Sequence, residues 1–253
     1  MQIDGHVAFV AGGASGLGEA TARLLAERGA SVVVADRDAT RGEKVAAEVG
    51  GRFVAADVSD EAAVAAAMAV AAGCGPLRVA VSCAGIGWAD RVLRADGSPH
   101  PAGGFEKVLR VNLLGTFNVM RLAARLMAAL PAADDGERGV IINTASVAAY
   151  EGQTGQVAYA ASKGGIVAMT LPAARDLSVV GIRVCTVVPG LMDTPLASTM
   201  PASNRQRLEA QALFPARFGR PSEYALLVAH IIENRYLNGE CIRLDAGLRL
   251  PLK

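Results

Sequence analysis

Seven short runs rich in valine and isoleucine recur along the chain, separated by stretches of helical period. They are "HVAFVA" (6–11), "SVVVAD" (31–36), "RFVAAD" (52–57), "RVAVSC" (78–83), "GVIINT" (139–144), "IRVCTVV" (182–188) and "GECIRL" (239–244). Their apolar character is nearly continuous rather than alternating. Such strands suit burial on both faces, the condition of a parallel sheet covered by helices. Helical stretches near 17–28, 40–49, 60–72, 104–130, 157–179 and 222–233 fill the intervals. This order predicts an α/β fold, a Rossmann-type doubly wound parallel sheet of about seven strands with right-handed crossovers. There is no internal repeat, linker or break in composition, so residues 1–253 read as a single domain.

Hydrophobic residues make up 52% of the 253 and charged residues 19%, enough for a large core. A net charge of +1 offers no field that would draw nucleic acid or an anionic membrane. The longest uncharged run, 62–77, is mostly alanine and is broken by Gly73, Gly75 and Pro76, which fits a covered helix better than a membrane span. Four scattered cysteines form no C-x-x-C pair and read as reduced thiols. Three distant histidines give no metal-ligand spacing, so no metal is expected. The opening "MQIDGHVAFVAGG" reads as a first strand rather than a leader, and the expected location is the cytoplasm.

Two segments depart from the regular pattern. Residues 88–104 are rich in Pro, Gly and charge and predict a surface loop. Residues 192–214 follow a strand end, mix helix formers with Pro195 and Pro201, and predict a lid over a ligand. Met192, Leu196, Met200, Leu213 and Phe214 are its candidate apolar lining. Arg205 and Arg207 are candidate partners for a phosphate, or else solvated charges on a surface helix.

"AGGASGLGEATARLL" places Gly12, Gly16 and Gly18 between an apolar strand and an amphipathic helix. Glycines there permit a tight turn and let the backbone approach a pyrophosphate, which then meets the helix N-terminus. The plain alternative is a glycine-rich turn with no ligand. Asp36, at the end of the next strand and 18 positions after Gly18, favours the dinucleotide. A carboxylate there accepts bonds from the adenosine ribose and repels a 2′-phosphate, so NAD is expected over NADP. Asp36 as a helix cap or a solvated loop charge is the alternative, and Arg37 beside it could tolerate the phosphate.

"YAASK" sets Tyr159 and Lys163 four residues apart, on one face of a helix, in a chain with four lysines. Oxidising an alcohol requires a base for the hydroxyl proton, and a free tyrosine with a pKa of about 10 is a poor one near neutrality. A cation one turn away favours the phenolate and brings the phenol nearer its working range. Taken singly, each residue reads as structural: a half-buried aromatic and a surface lysine.

With "GGASGLG", Asp57, "CAG", Asn112 in "VNLLGTFNV", Ser146 and "YAASK" in order, the chain resembles the short-chain dehydrogenase/reductase family over almost its whole length. "PGLMDTPL" and "IIENRYLNGECIRLDAG" are similar to the branch of type-2 3-hydroxyacyl-CoA dehydrogenases. The resemblance implies a catalytic tetrad of Asn112, Ser146, Tyr159 and Lys163. Lys163 would also bind the nicotinamide ribose, and Asn112 would hold a water leading from Lys163 to solvent. It further implies NAD contacts from Gly12, Ser15, Gly16, Leu17, Gly18, Asp36, Asp57, Val58, Cys83, Tyr159, Lys163, Pro189, Met192 and Thr194. Substrate contacts would come from Ser146, Gln156 and Tyr159. The expected substrate is a small molecule, an acyl-CoA, and the expected assembly a homotetramer paired through the helices near 104–130 and 157–179. The same chemistry on a steroid, a simple secondary alcohol or another 3-oxoacyl thioester, or a non-catalytic nucleotide-binding scaffold, are the rival readings. The sequence departs from the family at Ala11, where a threonine is usual, and at Cys83, where an asparagine is usual.

Overall fold

The computed structural model describes residues 1–198 and 202–251. Met200 therefore lies outside the described residues. The strands are β1 (Val7–Ala11), β2 (Ser31–Asp36), β3 (Arg52–Ala55), β4 (Leu77–Ser82), β5 (Gly139–Thr144), β6 (Ile182–Pro189) and β7 (Cys241–Leu244). They form one parallel sheet in the order β3-β2-β1-β4-β5-β6-β7. The chain moves outward from β1 to β3, then returns to start β4 on the other side of β1. The loops after β1 and β4 therefore diverge, leaving a crevice at the C-terminal ends of the strands.

The unbroken apolar runs are explained by the two layers that cover the sheet. Phe9, Val33, Ile141 and Val184 face one core with Met68, Met120 and Met127. Their neighbours Val10, Val34, Ile142 and Cys185 face the other with Leu25, Tyr224, Val228 and Ile231. Side chains alternate across a strand, so both registers must be apolar when both faces are buried.

The helices around the sheet are α1 (Gly16–Glu27), α2 (Ala39–Glu48), α3 (Glu61–Gly73), α4 (Ala102–Val108), α5 (Gly115–Ala128), α6 (Val157–Ser178), α7 (Pro195–Ser198), α8 (Ala202–Glu209) and α9 (Pro221–Glu233). Asp38 caps α2 by accepting from Arg41 N at 3.0 Å, and Asp60 caps α3 by accepting from Ala62 N at 2.9 Å. The single helix expected near 104–130 is instead α4 and α5 joined by a π-helical turn, Leu109–Leu114. β3 ends two residues before Asp57, whose carboxylate turns the chain by accepting from Ser59 N (2.9 Å) and Ser59 Oγ (2.8 Å). α6 runs through Pro172. Among the described residues, no helix is long and apolar enough to cross a membrane.

Candidate active site

Two adjoining clefts open along the C-terminal edge of the sheet. The first, of about 220 Å³, is bounded by the glycine loop, the ends of β2 and β3 and the segment after β4. Gly12 has φ +74°, and a Cβ on it would meet Ala84 N at 2.5 Å. A Cβ on Gly18 would strike Gly12 O at 2.1 Å. Only glycine at these positions lets α1 begin hard against β1, with its unpaired first-turn N–H groups bordering open space. Ser15, Gly16 and Leu17 line the same cleft.

Asp36 stands at the far side. Its Oδ2 accepts from Ala14 N at 3.1 Å and its Oδ1 from Asp38 N at 3.0 Å, so the carboxylate is stitched to the glycine loop. Asp38 rather than Asp36 caps the following helix, which removes the capping alternative for Asp36. Arg37 Nη1 lies 3.6 Å from Asp57 Oδ2. Burial pushes the Asp57 carboxyl up, but the Ser59 hydrogen bonds and Arg37 outweigh it and hold the group below its ordinary range. Val58 completes that wall. Leu17, Cys83, Gly85, Thr194 and Leu196 border both clefts, making them one continuous groove.

The second cleft, of about 470 Å³, has Ser146, Tyr159 and Lys163 among its polar lining, with Gln153 and Gln156 nearby. Pro189, Gly190 and Met192 come from the end of β6. Tyr159 and Lys163 share one face of α6, with Lys163 Nζ 5.8 Å from the phenol ring centroid. Lys163 is 5% exposed and donates to Thr144 O at 2.8 Å. Burial lowers its pKa to about 8, partly opposed by the Cys83 thiol. Burial also raises Tyr159, and a hydrogen bond with Ser146 pulls it back. The protein alone thus moves the phenol opposite to the expected direction, because removal from water outweighs the hydrogen bond to Ser146.

Asn112 faces Gly85 alongside Lys163. It is fully buried within the π-helical turn, and its side chain is already committed. Oδ1 accepts from Ile86 N at 2.8 Å, while Nδ2 donates to Ile86 O at 3.0 Å and Ser162 Oγ at 3.1 Å. The side chain ties the cofactor-cleft loop to α6.

The segment at 192–214 contributes Met192, Leu196, Ala197 and Leu208 to the second cleft. Leu213 and Phe214 do not line it and are 79% and 86% exposed. Leu213 N donates to Ala246 O at 2.9 Å, which pins this part of the chain against the C-terminal segment. Arg205 is likewise not free for a phosphate. Nη1 lies 3.0 Å from Asp193 Oδ1, Nε lies 3.1 Å from Glu209 Oε1, and the guanidinium sits 4.3 Å from the Phe218 ring centroid. The exposed Arg207 side chain is not part of the cleft lining.

The short chain dehydrogenase family profile matches residues 6–205. The chain is a short-chain dehydrogenase. It is 52% identical to 3-hydroxyacyl-CoA dehydrogenase type-2 of Homo sapiens, the match covering 98% of this chain and 97% of that one. Its identity to the protein of the same name in Drosophila melanogaster is 50%, covering 98% and 99%. The crystal structure of 3-hydroxyacyl-CoA dehydrogenase type-2 from Mycobacterium avium superposes with a TM-score of 0.95 at 46% identity, covering 98% of each chain. Membership implies a nicotinamide dinucleotide. The groove of this dehydrogenase fits one: a cradle that Cβ atoms would fill, a carboxylate across from it, and polar groups where the second cleft begins. Trp88, Gln153, Leu208, Phe218 and Leu250 also line the second cleft, and sequence reasoning assigned none of them to it. Leu208 arrives from α8 and the others from loops and the C-terminal segment, where no motif marks them.

Proposed function

We propose that this dehydrogenase oxidises the 3-hydroxyl of a 3-hydroxyacyl-CoA, reversibly, with NAD. The observation that carries the reading is the continuity of the dinucleotide cleft with the cleft holding Ser146, Tyr159 and Lys163. The extensive identity to proteins named for that substrate supports its choice. Bound NAD supplies the hydride acceptor. Gly12, Gly16 and Gly18 cradle its pyrophosphate, with Ser15 and Leu17 at the turn. Asp36 holds the adenosine ribose and disfavours NADP. Asp57, Val58 and Cys83 flank the adenosine half, and Pro189, Met192 and Thr194 the nicotinamide half.

Ser146 Oγ holds the substrate oxygen and Tyr159 Oη takes its proton. Lys163 donates to the nicotinamide ribose and steadies negative charge on the phenol. Gln156, whose Oε1 accepts from Gln153 N at 3.3 Å, faces the thioester side. Asn112 completes the tetrad, holding a water that leads from Lys163 to solvent while its side chain fixes the groove. The 192–214 segment serves as the substrate lid. The protein works as a cytoplasmic homotetramer in fatty-acid metabolism. The apolar residues Leu114, Phe117, Val157 and Leu171, exposed on α5, α6 and the turn between α4 and α5, support the assembly.

The test is NADH formation from 3-hydroxybutyryl-CoA by wild type and Tyr159→Phe. The variant should lose about two to four orders of magnitude in turnover, the range for general acid–base catalysis, while still binding NAD. A wild type that oxidises steroid or simple secondary alcohols but no acyl-CoA favours the rival substrates. Turnover by neither protein favours the scaffold.

A further inference from the structure

Trp88 is the chain's single tryptophan, and it lies in the 88–104 segment that sequence reasoning assigned only to the surface. Its indole lines the second cleft, along with Leu196, Phe218 and Leu250. It also has a built seat. A Cβ on Gly104 of α4 would come within 2.8 Å of indole Cζ2 and 2.9 Å of Cε2. The missing side chain at 104 is the space the ring occupies. Two residues beyond the tryptophan, Asp90 N donates to Gly155 O at 2.7 Å. That bond fastens the loop to the segment carrying Gln153 and Gln156. An aromatic held in this way has little conformational freedom left to lose when a ligand packs on it.

The size of the cleft gives the ring its consequence. At about 470 Å³ it sits low in the usual range for ligand pockets, and the nicotinamide ring must share it. We propose that Trp88, seated on Gly104, is a specificity-determining residue: the indole wall limits the acyl chain, so the enzyme favours short 3-hydroxyacyl chains over long ones. The acyl part of this inference rests on the proposed function. The role of the wall does not.

The experiment compares kcat/KM for 3-hydroxybutyryl-CoA and 3-hydroxydecanoyl-CoA in wild type, Trp88→Ala, Trp88→Phe and Gly104→Ala. In Trp88→Ala the long-to-short ratio should rise on the order of tenfold or more, since apolar pockets discriminate by that much for small changes in fit. Trp88→Phe should fall between. Gly104→Ala adds a methyl where the ring sits and should shift the ratio without altering a cleft residue. Leu93→Ala, on the same loop but 65% exposed and outside the cleft lining, should leave it unchanged. An unchanged ratio in both Trp88→Ala and Gly104→Ala, with wild-type NAD affinity and thermal midpoint, overturns the proposal.

If wild type oxidises secondary alcohols but no acyl-CoA, the substrate reading fails, and the same ratio taken with 2-butanol and 2-decanol decides the wall. The lone tryptophan gives a readout that needs no turnover. Its emission in the NAD-loaded Tyr159→Phe protein should change when either substrate pair saturates the cleft, and no change with any of them overturns the proposal.

Discussion

Lys163 gives a quantitative test of the site's electrostatics that needs neither cofactor nor substrate. Its ammonium is buried, accepts no help from a carboxylate in the causes of its shift, and falls from 10.5 to about 8 because water is removed from around it. In the unfolded chain the same lysine titrates near 10.4. Between these two values the unfolded state binds more protons than the folded one, so stability rises with pH through that window. Below the folded value both states are protonated, and the full burial penalty is present. Two and a half pKa units correspond to about 3 kcal/mol in all, of which about 2 kcal/mol is relieved between about pH 7 and pH 9.5. Lys163→Met removes the titrating group while keeping a long apolar stem. Urea unfolding of both NAD-free proteins at the two pH values gives the difference of differences, in which the other titrations largely cancel. Wild type should gain about 2 kcal/mol on the variant as pH rises, and a gain below about 0.5 kcal/mol would refute the buried-ammonium account.

Asp36→Ala removes the carboxylate bonded to Ala14 N and Asp38 N, and should raise the NADP-to-NAD ratio of kcat/KM by about tenfold or more, the worth of a charged hydrogen bond; an unmoved ratio, or a wild type preferring NADP, shows that Asp36 is not the discriminator. Glu151 binds Arg243 Nη1 at 2.9 Å and Arg249 Nε at 3.3 Å through Oε1, and accepts from Leu250 N at 3.0 Å through Oε2. Glu151→Ala should therefore free the C-terminal segment that brings Leu250 to the cleft, raising substrate KM several-fold with NAD KM unchanged; equal KM values for the two proteins would exclude this clamp. Light scattering at micromolar concentration should report a tetramer for wild type and smaller species for Phe117→Asp, and a monomeric wild type refutes the assembly.

What the sequence made legible follows from which constraints are local. A parallel sheet covered on both faces leaves continuous apolar runs, and a dinucleotide loop needs glycines where backbones nearly touch, as at Gly12 and Gly18. Both leave a mark within a few residues. Tyr159 and Lys163 are marked by one helical turn. Trp88, Phe218 and Leu250 are not, because tertiary packing alone brings them to the cleft from segments more than thirty positions apart. Arg205 shows the opposite failure. Its partner Glu209 is visible at i+4, but Asp193 lies 12 residues back, outside any helical spacing, so an arginine that looked available for a phosphate is occupied in bracing the segment.

Asn112 shows how much of a residue's setting lies outside its motif. Helical period alone carries it through as one position of a long helix. The structure instead widens the helix into a π-helical turn at that point, a distortion that recurs at functional sites. The buried amide then meets both backbone groups of Ile86 and the hydroxyl of Ser162, which itself donates to Tyr159 O at 2.8 Å. A buried polar network with these bonds satisfied is rigid, and this one spans the cofactor-cleft loop, the helix turn and α6. Gly85 lies in the gap: a Cβ there would stand 3.3 Å from Asn112 Oδ1 and 3.6 Å from Lys163 Nζ. The carbonyl of Asn112 accepts from Thr116 Oγ1 at 2.7 Å and the amide Oδ1 from Ile86 N, so each keeps a second lone pair for a water near Lys163. The side chain also sets distance, keeping the dinucleotide groove and the Tyr159–Lys163 face in fixed relation, and that requires an amide able to donate and accept at once.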